Sequence, residues 1–201
     1  NNTTSTYETM SEDELTKLIS ETNAQVQKLE QRKNELSSQL NALKDTADKN
    51  EKAAEIAKQN AQTNGILSGR LAATGEGVVI RISQGSKQRI DSAILFTLLE
   101  ELRNSGAEVI EINNVRVVTS TYISGTAGSL VCDGTKLKSP FTIRAIGDSD
   151  NLQNAVNLAG GVGSRLKVKY GATVSVSPSD KVMIKSTRQA PQYTYAHVIG
   201  Q

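Results

Sequence analysis

LLEELRNSGAEVIEINNVRV, residues 98–117, contains a helix end, a strand, a turn and a second strand in one run. Leu98, Leu99 and Leu102 continue the apolar positions 90, 94 and 95 of IDSAILFTLLEELRN, which is one face of a helix over 90–104. Gly106 is the residue that stops such a helix. AEVIEIN, residues 107–113, is rich in β-branched side chains and reads as a strand, and Asn113-Asn114 turns it into VRVVTST. A helix joined by short connections to neighbouring strands implies helices packed against a largely antiparallel sheet.

The same logic extends outward. GVVIRIS (77–83) is an alternating β-branched strand, followed by the loop QGSKQR. Within SGTAGSLVCDGTKLKSPF, Asp133-Gly134 separates two short extended runs and signals a hairpin. FTIRAI (141–146) is a further strand, GDSD a turn and helix cap, and residues 150–158 and 162–169 are helical. TVSVS (173–177) and KVMIK (181–185) are expected to close the domain as a hairpin through Pro178-Ser179-Asp180. The order β-α-β-β, hairpin, β-α-β gives an α+β fold: a ferredoxin-like (split βαβ) sandwich over 75–186 with an inserted β-hairpin. A doubly wound fold would require more helices between strands. Residues 65–74 are the expected linker, and 187–201 a loose C-terminal tail.

Ahead of the domain the period changes. Leu15, Ile19, Val26, Leu29, Leu36, Leu40 and Leu43 lie on a seam of alternating 3- and 4-residue steps that continues through Ala47, Ala54 and Ala61. That is the coiled-coil period, expected over 15–64 after a flexible stretch 1–14, and gives a rod of roughly 75 Å. Ser11 and Glu14 are spaced as a capping box. The first half of the seam supplies Leu, Ile and Val. The second supplies Ala and Asn, which bury little area. The flanking positions carry no clear ion-pair code, so neither helix orientation nor the choice between self and foreign partner is specified. A helix lying on the domain would present a broader apolar face than this one.

Lys and Arg number 23 against 21 Asp and Glu, a net charge of +2. A nucleic-acid binder carries a larger basic excess, and with two Phe and no Trp there is little to stack on bases. Cys132 is the sole cysteine, which excludes thiolate zinc sites and internal disulfides. His197, the sole histidine, falls beyond the last strand. No apolar run is long enough to span a bilayer. The chain starts at Asn1 without Met, as a processed or shortened chain does.

The most enzyme-like string is NLAGGVGSRLK, 157–167. A dinucleotide cradle follows a strand, whereas these glycines follow a helix, and no Lys-Ser/Thr pair ends the string. A helix stop and restart explains it, leaving Arg165 as an anion candidate. Asp148 and Asp150 are explained by helix capping. Ser124 and Ser129 have no local base, while Arg103, Arg116 and Arg144 lie near element ends. No catalytic residue, cofactor or metal is expected. The candidate ligand or partner surface is Arg116, Arg144, Gly160, Gly161 and Arg165.

Taken together, GEGVVIRIS, LLEELRNSGAEVIEINNVRV, SPFTIRAIGD, NLAGGV and VSVSPSDKVMIK resemble, in this order, the YlxW/YlxX-like family of Gram-positive bacteria. That family carries domain of unknown function 881 and the label "division initiation protein". The resemblance covers 75–185, with a coiled coil before it. It departs at Asn114, where the family tends to have Gly, and at GSKQR, which replaces an acidic loop. The resemblance implies a membrane-anchored protein, with the anchor upstream of Asn1 and the soluble part outside the cytoplasm, linked by gene neighbourhood to division. It carries over no catalytic residue. The expectation is a non-enzymatic envelope protein: a homo-oligomer through 15–64 whose domain docks an envelope or division protein. The alternative is a sensor of a small ligand or cell-wall fragment.

Overall fold

The computed structural model describes residues 11–200. It divides into a unit ending at Lys58 and a unit beginning at Gln59. The first unit is helical throughout its described part. Helix α1 spans Glu12–Leu67. Its start is the reciprocal capping box the sequence predicts: Glu14 N donates to Ser11 Oγ (3.3 Å) and Ser11 N to Glu14 Oε2 (3.2 Å). The first ten residues of the expected flexible stretch 1–14 lie outside the described residues, and helix has begun before Leu15. Beyond Leu15, which is half-buried, the seam side chains stand in solvent, with Leu29 69 % and Leu43 68 % exposed.

The expected break at Gly65 is displaced. The helix runs through Gly65 to Leu67 and stops where Gly69 takes φ +77°. A left-handed residue at that point is the usual way to end a helix, and it lets Arg70 N and Leu71 N both reach Gly65 O.

The second unit is α+β. Its main sheet has five strands in the order β3-β2-β7-β1-β8, every neighbouring pair antiparallel. The strands are β1 Ala73–Ile82, β2 Val109–Ile112, β3 Val115–Val117, β7 Phe141–Ile146 and β8 Val174–Ile184. Helices α2 (Ser92–Asn104), α3 (Ser149–Asn157) and α4 (Val162–Val168) cover one face. There Val78, Ile80, Ile82, Ile110, Ile112 and Ile143 meet Leu95, Leu98, Leu99 and Leu102 of α2, together with Leu152 and Leu166. The apolar positions that predict α2 are all buried. Asp91 caps this helix by accepting from Ile94 N (2.9 Å), and its other oxygen accepts from the Tyr170 hydroxyl (2.7 Å).

Asn113 and Asn114 both take positive φ, +45° and +63°, which is the two-residue turn that matches strand twist. Asn tolerates this conformation best after Gly, so Asn114 holds the second position of the turn without glycine. Asn113 also holds the start of β7: Thr142 N donates to its Oδ1 (2.8 Å) and its Nδ2 donates to Lys138 O (2.9 Å).

Two expectations require correction. The insertion is not a hairpin but a separate three-stranded sheet, β4 Ile123–Thr126, β5 Ser129–Cys132 and β6 Thr135–Leu137. The Asp133-Gly134 turn joins β5 to β6, and Leu130, Cys132 and Leu137 enter the main core. Nor do residues 173–185 form a hairpin. They run as the single edge strand β8 alongside β1, with Pro178 opposite Val78. An edge strand tolerates the N–H missing from Pro, and the turn-like Ser179-Asp180 is taken up as a bulge where the register shifts. The expected tail 187–201 is fixed at Arg188, whose N–H donates to Gly69 O (2.7 Å), Nε to Arg116 O (2.9 Å) and Nη2 to Thr121 Oγ1 (3.0 Å). Arg188 also pairs with Asp133.

Candidate functional site

Helices α2, α3 and α4 leave the other face of the main sheet uncovered, and the strand registers determine what it presents. Glu111 on β2 lies opposite Arg116 on β3 and Arg144 on β7, Arg144 opposite Val79 on β1, and Val79 opposite Ser177 on β8. Cross-strand partners share a face, so Arg116, Glu111, Arg144, Val79 and Ser177 form one transverse row with Cβ spacings of about 5 Å. At one end of this face Val109, Ile146, Val182 and Ile184 form a small apolar cluster with Ile66 and Ala73.

Arg116 is 2 % exposed and bonded to three main-chain carbonyls. Its Nη1 donates to Leu71 O (2.8 Å) and Ser186 O (3.0 Å), and its Nη2 to Ile66 O (2.9 Å). Ile66 O belongs to the last turn of α1, where carbonyls lack helical partners and a cation is favoured. One guanidinium thus ties the helix end, the lead-in to β1 and the exit from β8. It is a structural clamp, and as a ligand residue the sequence expectation for Arg116 is corrected. Burial pushes the Arg116 pKa down, opposed by the charge of Glu111.

Glu111 is buried beside it. Desolvation raises its pKa above the ordinary carboxylate value, and the guanidiniums of Arg144 and Arg116 pull against that rise. Arg144 is half-buried on the other side of Glu111 and faces a depression of about 430 Å³. Val79, Glu111, Asn114, Ser179, Lys181, Met183 and Lys185 complete much of its lining. A concavity of that size is within the range of small-ligand sites.

The glycine string is elsewhere and is architectural. Gly160 takes φ +77° between α3 and α4, and Gly161 is the N-cap of α4 without a side-chain cap bond. A Cβ on Gly163 would sit 2.0 Å from Val156 O, so the two helices meet there only because the side chain is absent. Arg165 is exposed on α4, in the helical layer on the far side of the sheet from Arg144. The five candidate residues are therefore not all brought together: Arg144 lines the depression, Arg116 lies two strands away in the same row but is buried and locked to main-chain carbonyls, and Gly160, Gly161 and Arg165 lie across the sheet. Asp148 caps α3 through Asn151 N (2.9 Å). Arg103 bonds Glu100 (2.7 Å) and Val118 O (2.8 Å).

Sequence reasoning missed Glu111, Lys181 and Lys185. Glu111 carried a signal, a carboxylate inside VIEI, whose four residues are all buried. Among the described residues no group of three or more His, Cys, Asp or Glu is arranged to hold a metal ion, and no helix is long and apolar enough to cross a membrane.

The family model described as "Bacterial protein of unknown function (DUF881)" matches residues 60–197. The UPF0749 protein Rv1825 of Mycobacterium tuberculosis is 34 % identical over 169 residues, 82 % of this chain and 57 % of the relative. The UPF0749 protein YlxW of Bacillus subtilis is 30 % identical over 126 residues, 58 % of this chain and 54 % of the relative. The chain thus spans little more than half the length of these relatives. A crystal structure of an uncharacterized conserved protein from Mycobacterium tuberculosis superposes with a TM-score of 0.64 at 35 % identity, covering 70 % of this chain and 99 % of that one.

Proposed function

The chain belongs to the DUF881 family of bacterial proteins of unknown function, and from that premise we propose that it is a non-enzymatic assembly protein of the cell envelope. In this reading α1 joins copies of the chain through its seam, and the α+β domain recognises an envelope partner.

The observation that carries the reading is the seam itself. Ile19, Val26, Leu29, Leu36, Leu40 and Leu43 recur at heptad spacing on a helix that leaves each of them about half or more exposed. Burying one such side chain contributes about 1.5–3 kcal/mol, so a second copy in register gains far more than two surface salt bridges would give. Lys33, on the seam, lowers stability while fixing register. Within the domain we read the sandwich as ferredoxin-like: with β3 as an added edge, the order β8-β1-β7-β2 is that of a split βαβ unit. The part of the other face around Arg144 supports a recognition role, because α2, α3 and α4 cover the opposite face and the end of α1 packs at the cluster of Val109, Ile146, Val182 and Ile184.

Lysine-directed crosslinking of the dilute full chain tests the assembly. A dimer or higher band that Leu29→Glu/Leu36→Glu abolishes supports it, and a monomer band alone contradicts it. Protease accessibility of the chain in intact cells tests the envelope placement: cleavage only after lysis argues against it.

A further inference from the structure

The lining of the depression on the open face has an uneven charge. Arg144, Lys181 and Lys185 all border it, and among the described residues none of the three enters an ion pair. Glu111 is the one carboxylate in the lining, and it stands between two guanidiniums on one row, Arg144 and Arg116. With Arg116, four cations thus surround one carboxylate, an excess of three positive charges. Neutral donors accompany them. Asn114 has no hydrogen bond from its side chain to another described residue, and Ser179 Oγ accepts from Lys181 N (3.2 Å), which leaves its own proton to donate.

We propose that this depression is a binding site for a phosphoryl group, with Arg144 as the central ligand and Lys181, Lys185, Asn114 and Ser179 as the surrounding donors. A guanidinium fork engages two oxygens of one phosphoryl group at once, and mobile ammonium groups at the rim take up the remaining charge. A dianion matches an excess of three positive charges better than a single carboxylate does. Glu111 is a positioning residue here. Standing opposite Arg144 on the next strand, it draws the guanidinium to the middle of the row. The proposal rests on the domain's recognition role and is independent of whether α1 assembles.

The test is a titration of the full chain with inorganic pyrophosphate, followed by calorimetry, alongside flotation with vesicles of phosphatidylglycerol or of phosphatidylcholine alone. Saturable binding of pyrophosphate, or flotation with the anionic vesicles only, is expected. Arg144→Gln and Lys181→Gln/Lys185→Gln should each weaken it about tenfold or more, since hydrogen bonds to charged groups are worth about 1.5–3 kcal/mol. Arg165→Gln, on the opposite layer, should leave it unchanged. Lys181 and Lys185 are exposed, so their double variant keeps the test valid if Arg144→Gln fails to fold. Absence of binding to either probe overturns the proposal, as does equal weakening by Arg144→Gln and Arg165→Gln. A chain that sediments as an assembly yet binds neither probe loses this site and keeps its assembly role.

Discussion

Replacing Arg116 with Met removes a guanidinium that donates to three main-chain carbonyls, Ile66, Leu71 and Ser186, at 2.8–3.0 Å. Each bond from a charged donor is worth about 1.5 kcal/mol at the low end, and each carbonyl left without a partner in a buried place adds a desolvation cost. Met recovers part of the loss by filling the space with apolar surface. The net expectation is a destabilisation of about 3–5 kcal/mol, similar to removing one partner of a buried pair. Set against a typical domain stability of about 5–15 kcal/mol, that is a large fraction. Urea unfolding of the full chain, followed by near-ultraviolet circular dichroism, is the suitable assay because Tyr170 is buried in the domain core while α1 has no described tyrosine. Arg116→Lys keeps the charge but not the fork, and should lose roughly half as much. A loss under about 1 kcal/mol for Arg116→Met would refute the clamp and return Arg116 to the list of ligand candidates.

Glu111 and Tyr170 give two pH-dependent expectations. Burial holds the folded-state pKa of Glu111 above its ordinary 4.5, so the folded chain binds the proton more tightly and wild-type stability falls as pH rises from 4.5 through the raised value. Glu111→Gln should flatten that stretch of the stability profile, and parallel profiles would contradict the assignment. The Tyr170 hydroxyl is pushed up to about 12 by burial and by its bond to Asp91. A spectrophotometric titration should show a tyrosine that ionises late and disappears in Tyr170→Phe, a variant that also loses about 1 kcal/mol. A titration identical in both proteins would count against the buried bond.

Much of the domain was legible because its signals are local. The apolar face of α2 has a helical period that nothing else mimics, and Asn113-Asn114 between two β-branched runs has few conformations available other than the observed turn. Ser11 and Glu14 likewise form a bond that depends on spacing alone. The errors arose where one residue pattern serves two geometries. Pro178-Ser179-Asp180 is a good turn and an equally good bulge on an edge strand, and the decision came from β1, which pairs with β8 along its whole length. That bulge also resets which β8 side chains face the sheet, so Lys181 and Lys185 could not be placed beside Arg144 from sequence. Arg116 and Arg188 act through main-chain carbonyls distant in sequence, and such acceptors leave no trace in residue types. The glycines of NLAGGVGSRLK carried the opposite lesson: packing of α3 on α4, rather than a ligand, requires Gly163.

Sedimentation equilibrium of the full chain beside Leu29→Glu/Leu36→Glu tests the assembly role most directly. The wild type should sediment at a multiple of the 21.5 kDa chain mass over a range of loading concentrations, and the double variant at the single-chain mass. A wild type that stays at 21.5 kDa at high concentration would contradict self-assembly through α1.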